Sequence, residues 1–114
     1  MADLNTTSRL PVVRHWHGWT SCERADDYEA LLRNTIIPGI LDRQIAGLRR
    51  FELLRRDGDD EVEFITVMWF DSLEEVRTFA GDDYEAAVVP ASARALLSRF
   101  DVRSAHFDVR FVHS

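Results

Sequence analysis

The stretch Glu61–Phe70, EVEFITVMWF, constrains this chain more than any other. A strand with one wet face alternates apolar and polar residues. Here Phe64, Ile65, Val67, Met68, Trp69 and Phe70 run almost without a break, so both faces of the strand demand cover. One face carries Val62, Phe64, Thr66, Met68 and Phe70; the other carries Ile65, Val67 and Trp69. Helices of the same chain can cover only one of them, and 114 residues leave no material for a further layer. Burying three side chains of that size is worth on the order of 5–8 kcal/mol in transfer terms. The expected cover is a second copy of the chain, giving a homodimer through sheet faces.

The segments around this strand set the element order. Pro11 to Trp19 (PVVRHWHGW) is rich in β-branched and aromatic residues and predicts strand one. Thr20, with Glu23 three residues on, fits a capping box for a first helix through Ile36, whose stripe is Tyr28, Leu31, Leu32, Thr35 and Ile36. Pro38-Gly39 is expected to interrupt that helix, leaving a short turn from Ile40 to Gln44. Strand two follows Gly47 (LRRFELLRR), and Asp57-Gly58-Asp59-Asp60 supplies a hairpin turn into strand three. Ser72 and Glu75 predict a second capping box, opening helix two, SLEEVRTFAG, with Leu73, Val76, Phe79 and Ala80 inward and Gly81 as terminator. Asp83 to Val89 reads as a further helical turn, and Pro90 opens a short last helix, ASARALLSRF. SAHFDVRFVH then alternates as strand four. Phe107, Val109 and Phe111 are expected to meet the helices, with His106, Asp108 and Arg110 on the partner side.

The order β-α-β-β-α-β predicts an α+β domain of ferredoxin-like topology with an antiparallel four-stranded sheet. Residues 1–10 read as a loose leader and 11–114 as the single domain. A formal charge of −6 argues against nucleic acid, whose recognition needs a basic surface. No apolar run approaches the length of a membrane span, nothing near the start resembles a signal peptide, and a cytoplasmic location is the expectation. The single Cys22 permits no intramolecular disulfide.

Few residues offer chemistry. His15 and His17 share a strand face; metal binding there would need further ligands that no spacing supplies, and no metal is expected. His106 is suited to proton transfer if it borders an apolar cavity, and His17 is the second candidate base. Trp69 belongs to the doubly buried strand, and its indole N–H needs an acceptor. Cys22 has no evident base beside it. Phosphate-loop and nucleophile-elbow motifs are absent from the sequence.

HGWT (His17 to Thr20), ELLRRDGDDEVEF (Glu52 to Phe64), WFDSLEEVRTFAGDDYEAAVVP (Trp69 to Pro90) and SAHFDV (Ser104 to Val109) together resemble the antibiotic biosynthesis monooxygenase-like family of the dimeric α/β barrel superfamily. The resemblance implies ferredoxin-like protomers joined through their sheets into a barrel, often with a ligand cavity in each subunit. It also implies oxygenation of a phenolic or quinol-type aromatic without metal, flavin or other cofactor. His106 or His17 would act as base, and Trp69 and Trp16 would form cavity walls. Tyr84 and Arg50 are candidates for substrate binding by residue type. The family's haem degraders use a strand-one Asn and a His on the helix after strand three. This chain has neither, although Trp69 matches their Trp. The alternative expectation is a non-catalytic dimeric module that binds a small ligand or serves as an accessory.

Overall fold

The computed structural model describes residues 11–114; the expected leader lies outside the described residues. Strand β1 (Val12–Ser21) runs antiparallel to β3 (Glu61–Phe70), which pairs with β2 (Leu48–Asp57) through the hairpin that the Asp-Gly turn closes. On the other side of β1 lie two short strands, β4 (Arg99–Phe100) and β5 (Ala105–Asp108), so the sheet order is β2-β3-β1 with β4 and β5 sharing the last edge. This is the ferredoxin-like α+β arrangement, with its fourth strand divided in two.

Strict alternation in β1 sends Val12, Arg14, Trp16, Gly18 and Thr20 to the helix side, while Val13, His15, His17 and Trp19 line the other face. On β3 the helix side takes Val62, Phe64, Thr66, Met68 and Phe70, as the pattern predicts. Two hydrophobic clusters fill the space under the helices. Ala25, Tyr28, Leu32, Val62, Phe64 and Ala93 form one, and Val12, Met68, Phe70, Val76 and Phe79 the other.

The first helix departs from expectation. Helix α1 (Ala25–Leu31) widens into a π-helical segment, Leu32–Ile36, and resumes as α2 (Ile37–Asp42), passing through Pro38-Gly39 without a break. Pro38 has no N–H to donate and its ring would strike the carbonyl four residues back. Widening the turn just before it, with the Ile37 N–H donating to the Leu32 carbonyl five residues away, relieves that conflict. The Thr20–Glu23 capping box does not form. Thr20 is buried at the end of β1 and its hydroxyl donates to the Ser21 carbonyl, while Ser21 Oγ accepts from Arg24 N. At helix α3 (Leu73–Ala80), Ser72 does cap, accepting from Glu74 N, and its hydroxyl donates to the Glu75 carboxylate.

The C-terminal third differs most. Residues 83–89 are not helical: Ala86 bridges Arg103, and Ala87 N and Ser104 N bond the carbonyls of Val102 and Glu85. Helix α4 is only Ala91–Arg94, with Pro90 as its cap, because β1 captures Arg99 and Phe100 as strand. Pairing Arg14 with His106 places His106 and Asp108 on the helix side and Phe107 on the open face, the reverse of the expected assignment. Alternation shows which residues share a face but not which way that face points; the neighbouring strand decides it. Phe107, 55% exposed, lies against His15 with ring centroids 5.9 Å apart, and Phe111 is exposed rather than packed under the helices.

Candidate functional site

Between the two core clusters lies a cavity lined chiefly by Trp16, Tyr28, Ile37, Phe51, Met68 and Phe79, with Arg14, Thr66 and Ser104 as polar members. It has a volume of about 60 Å³, room for about four waters. Trp16 reaches it because Gly18, two residues on and on the same face, has no side chain. A Cβ at Gly18 would stand 2.7 Å from the Trp16 ring and 2.9 Å from Leu97. The indole is fixed at its far end by Nε1–H donating to the Asp101 carbonyl at 2.8 Å. Tyr28, fully buried, stacks edge-on against Phe64 at 4.9 Å, and burial pushes its phenol pKa upward.

Arg14 dominates the chemistry. It is 3% exposed, and burial lowers its pKa to about 10, so it still carries its charge at neutral pH. Buried guanidinium groups ordinarily pair with carboxylates. Arg14 instead donates from Nη1 to the Tyr84 carbonyl and to His106 Nε2 (3.1 Å), and from Nη2 to the Ala86 carbonyl (3.1 Å); its guanidinium lies 5.3 Å from the Phe79 ring centre. Tyr84 and Ala86 present these carbonyls from a turn, closed by the Ala86 N–H donating to the Asp83 carbonyl, that the Ala86–Arg103 bridge holds against 102–104. The cavity lining contains no Asp or Glu among the described residues.

Because Nε2 of His106 accepts from a group that cannot be deprotonated, the ring is neutral and carries its proton on Nδ1. Burial first, and the Arg14 charge second, hold the His106 pKa below its ordinary value. Nδ1 of His106 and Oγ of Ser104 are both buried without a hydrogen-bond partner. Ser104, 5% exposed, lines the cavity itself.

The candidates named from sequence fall on two sides of the sheet. His106 and Tyr84 meet around Arg14, their rings 5.1 Å apart, and neither lines the cavity; Trp16 does. His17, Trp69 and Arg50 lie on the open face. His17 Nδ1 bonds Glu63 at 2.8 Å, and the Trp69 N–H reaches Glu52 at 3.4 Å under the Arg50 guanidinium, which Glu52 also binds. No single pocket brings all six together, because β1 sends odd and even residues to opposite sides. Sequence reasoning missed Arg14 and Ser104. The legible signal for Arg14 was its place among Val12, Trp16 and Thr20, an arginine in phase with a buried face.

The fold and site define a ferredoxin-like domain with a small, mostly apolar cavity beneath its helices and a buried cation at one end. Solved structures share that fold. A Bacillus cereus protein provisionally named an antibiotic biosynthesis monooxygenase superposes with a TM-score of 0.60 at 12% identity, covering 92% of this chain and 98% of the other. The Rv0793 protein of Mycobacterium tuberculosis gives 0.55 at 18% identity, covering 91% and 97%. A dimeric ferredoxin-like protein from an uncultured marine organism gives 0.60 at 12%, covering 97% and 99%. No family model and no curated protein matches the chain.

Proposed function

We propose that the chain works as a homodimer joined through the open faces of its sheets. In this reading the cavity beside Arg14 hosts cofactor-independent monooxygenation of a phenolic or quinol-type aromatic. One observation carries the reading: a small apolar, aromatic-walled cavity ends in a buried, charged arginine that has no carboxylate partner among the described residues. Such a site favours the anionic form of a bound phenol, because a fixed charge in a water-poor cavity acts with little screening. A phenolate is electron-rich enough to reduce oxygen itself. In a phenol the ring C–H para to the hydroxyl becomes a carbonyl, giving a quinone; in a quinol one ring C–H becomes C–OH while both hydroxyls become carbonyls, giving a hydroxyquinone. In either case the second oxygen atom leaves as water and all four electrons come from the substrate.

In this reading Arg14 stabilises the oxyanion and Trp16 walls the cavity. His106 takes the phenolic proton on Nε2 when substrate oxygen replaces that nitrogen at Arg14 Nη1. Tyr84 holds His106 through ring contact and Arg14 through its carbonyl. His17, Trp69 and Arg50 are assigned to the dimer face. The names of the solved neighbours, a monooxygenase and a dimeric protein, agree with both parts of the proposal. A second reading, a ligand-binding module without catalysis, draws on the Arg14–His106 bond, which occupies the nitrogen that a base would need.

Oxygen uptake by the purified protein against hydroquinones and anthrones tests the proposal. One-ring quinols are expected to be consumed, with His106→Ala slower by about 100-fold or more. Uptake with no member of the panel sinks the oxygenase reading, and equal uptake by the variant removes His106 as base.

A further inference from the structure

From the unused donors around the cavity, we infer that its ligand carries a carboxylate, gripped by Arg14 and Ser104. Of the five guanidinium N–H bonds of Arg14, the Tyr84 carbonyl, His106 and the Ala86 carbonyl take three. Nε–H and one N–H of Nη2 have no acceptor among the described residues.

Nε and Nη2 are the pair with which arginine holds a carboxylate side-on through two parallel bonds. The same chain shows the grip elsewhere, Arg99 holding Glu61 through Nε at 3.3 Å and Nη2 at 2.9 Å among others. Arg49 binds Asp71 through Nε at 2.9 Å and Nη2 at 2.6 Å, and Arg55 binds Asp57 through Nε at 2.7 Å and Nη2 at 3.3 Å. Arg14 lines a cavity and has no aspartate or glutamate bonded to it among the described residues. Ser104 supplies the independent observation: a nearly fully buried hydroxyl on the cavity wall whose oxygen has no partner. Buried polar groups are rarely left so, and a carboxylate oxygen would satisfy it together with Arg14. A phenolate alone offers one oxygen and would satisfy fewer of these donors. The remaining lining is aromatic and aliphatic, so the ligand class is a small apolar carboxylic acid, for which benzoate is the probe.

The inference rests on reading the cavity as the ligand site but not on oxygen chemistry, and binding measurements separate the two. Titration calorimetry of the full chain with benzoate and with benzamide, a neutral amide of similar shape, is the test. Benzoate is expected to bind at least about tenfold more tightly. Arg14→Gln should abolish that preference, and Ser104→Ala should weaken benzoate binding several-fold. Equal binding of the two compounds, or no binding of either to the wild-type protein, overturns the carboxylate assignment even if neutral quinols are oxidised. Arg14-dependent benzoate binding without any quinol oxidation would support it while refuting the oxygenase reading. Should Arg14→Gln fail to fold, the wild-type comparison and Ser104→Ala still decide the matter.

Discussion

Replacing Gly18 by alanine tests how the cavity wall is built. Gly18 has no positive φ, so alanine meets no backbone obstacle, and the whole effect comes from its methyl group. That carbon would lie 2.7 Å from the Trp16 ring and 2.9 Å from Leu97 Cδ2, against ordinary carbon contacts of about 3.5–4.0 Å. Both side chains must give way, each by roughly 0.6–1 Å. Trp16 is tied by its bond to the Asp101 carbonyl, so the strain is shared between over-packing and a weakened hydrogen bond. Over-packing costs about 1–3 kcal/mol and the hydrogen bond adds ~1 kcal/mol, offset by ~0.5–1 kcal/mol from the stiffer unfolded chain. The expected net loss is about 1–3 kcal/mol, which lowers Tm by roughly 4–15 °C. Gly39→Ala is the internal control. It lies in helix α2, and a Cβ there meets nothing within 4 Å, so alanine should stabilise by ~0.5–1 kcal/mol. Circular-dichroism melts at one protein concentration measure both. If Gly18→Ala melts at or above the wild-type temperature, or if the two variants shift alike, the packing account of Trp16 is wrong.

Two further outcomes are expected. His15 and His106 both have pKa values held below the ordinary 6.5, first by burial, so the unfolded chain takes up protons at a higher pH than the folded one. Stability should therefore fall as pH drops below about 6.5, before the carboxylates titrate, and His106→Gln should flatten that slope in urea melts at pH 7 and pH 5. At lower pH, Glu63 and Glu61 add a second loss. Hydrogen bonds from His17 and Arg99 respectively depress their pKa values, so their contribution is present above the ordinary carboxylate range and disappears as pH falls through the depressed values. Phe107→Asp, at an exposed apolar position of the open face, should convert a dimer to a monomer in sedimentation at micromolar concentration; a wild-type monomer would refute the face-to-face assembly.

How far the sequence could be read follows from where information is local. Strand β3 coincides with Glu61–Phe70 because apolar content, hairpin turn and Ser72 cap all bound the same ten residues. Period two sorted its residues into two faces, and the structure shows which of them meets the helices. The π-helical segment was not legible, since a proline signals a break equally well whether the helix ends or widens. Strand four failed for a different reason. Its alternation was read correctly, but its direction depends on pairing with β1, and apolar content pointed the wrong way because Phe107 belongs to a face that itself needs cover. The site was half visible. Trp16, Tyr84 and His106 were named, but Arg14, which links the last two, was not, because a charged residue within an alternating strand reads as solvent-facing.

The division of the last strand also bears on how the protein avoids indiscriminate association. A sheet edge is a row of unpaired amides and carbonyls that any extended chain can join. On the β1 side, three steps along β1 from Gly18 to His15 correspond to five from Phe100 to Ala105, so after Asp101, whose N–H still bonds the His17 carbonyl, residues 102–104 bulge away from the ladder. On the far side, β2 carries Arg49, Arg50, Arg55 and Arg56, with a register irregularity between Leu48 and Arg50. One border is bent and the other is crowded with charge, so neither offers a straight template for strand addition. In the proposed assembly a second copy would then meet the flat of the sheet, giving a closed pair rather than an open fibre.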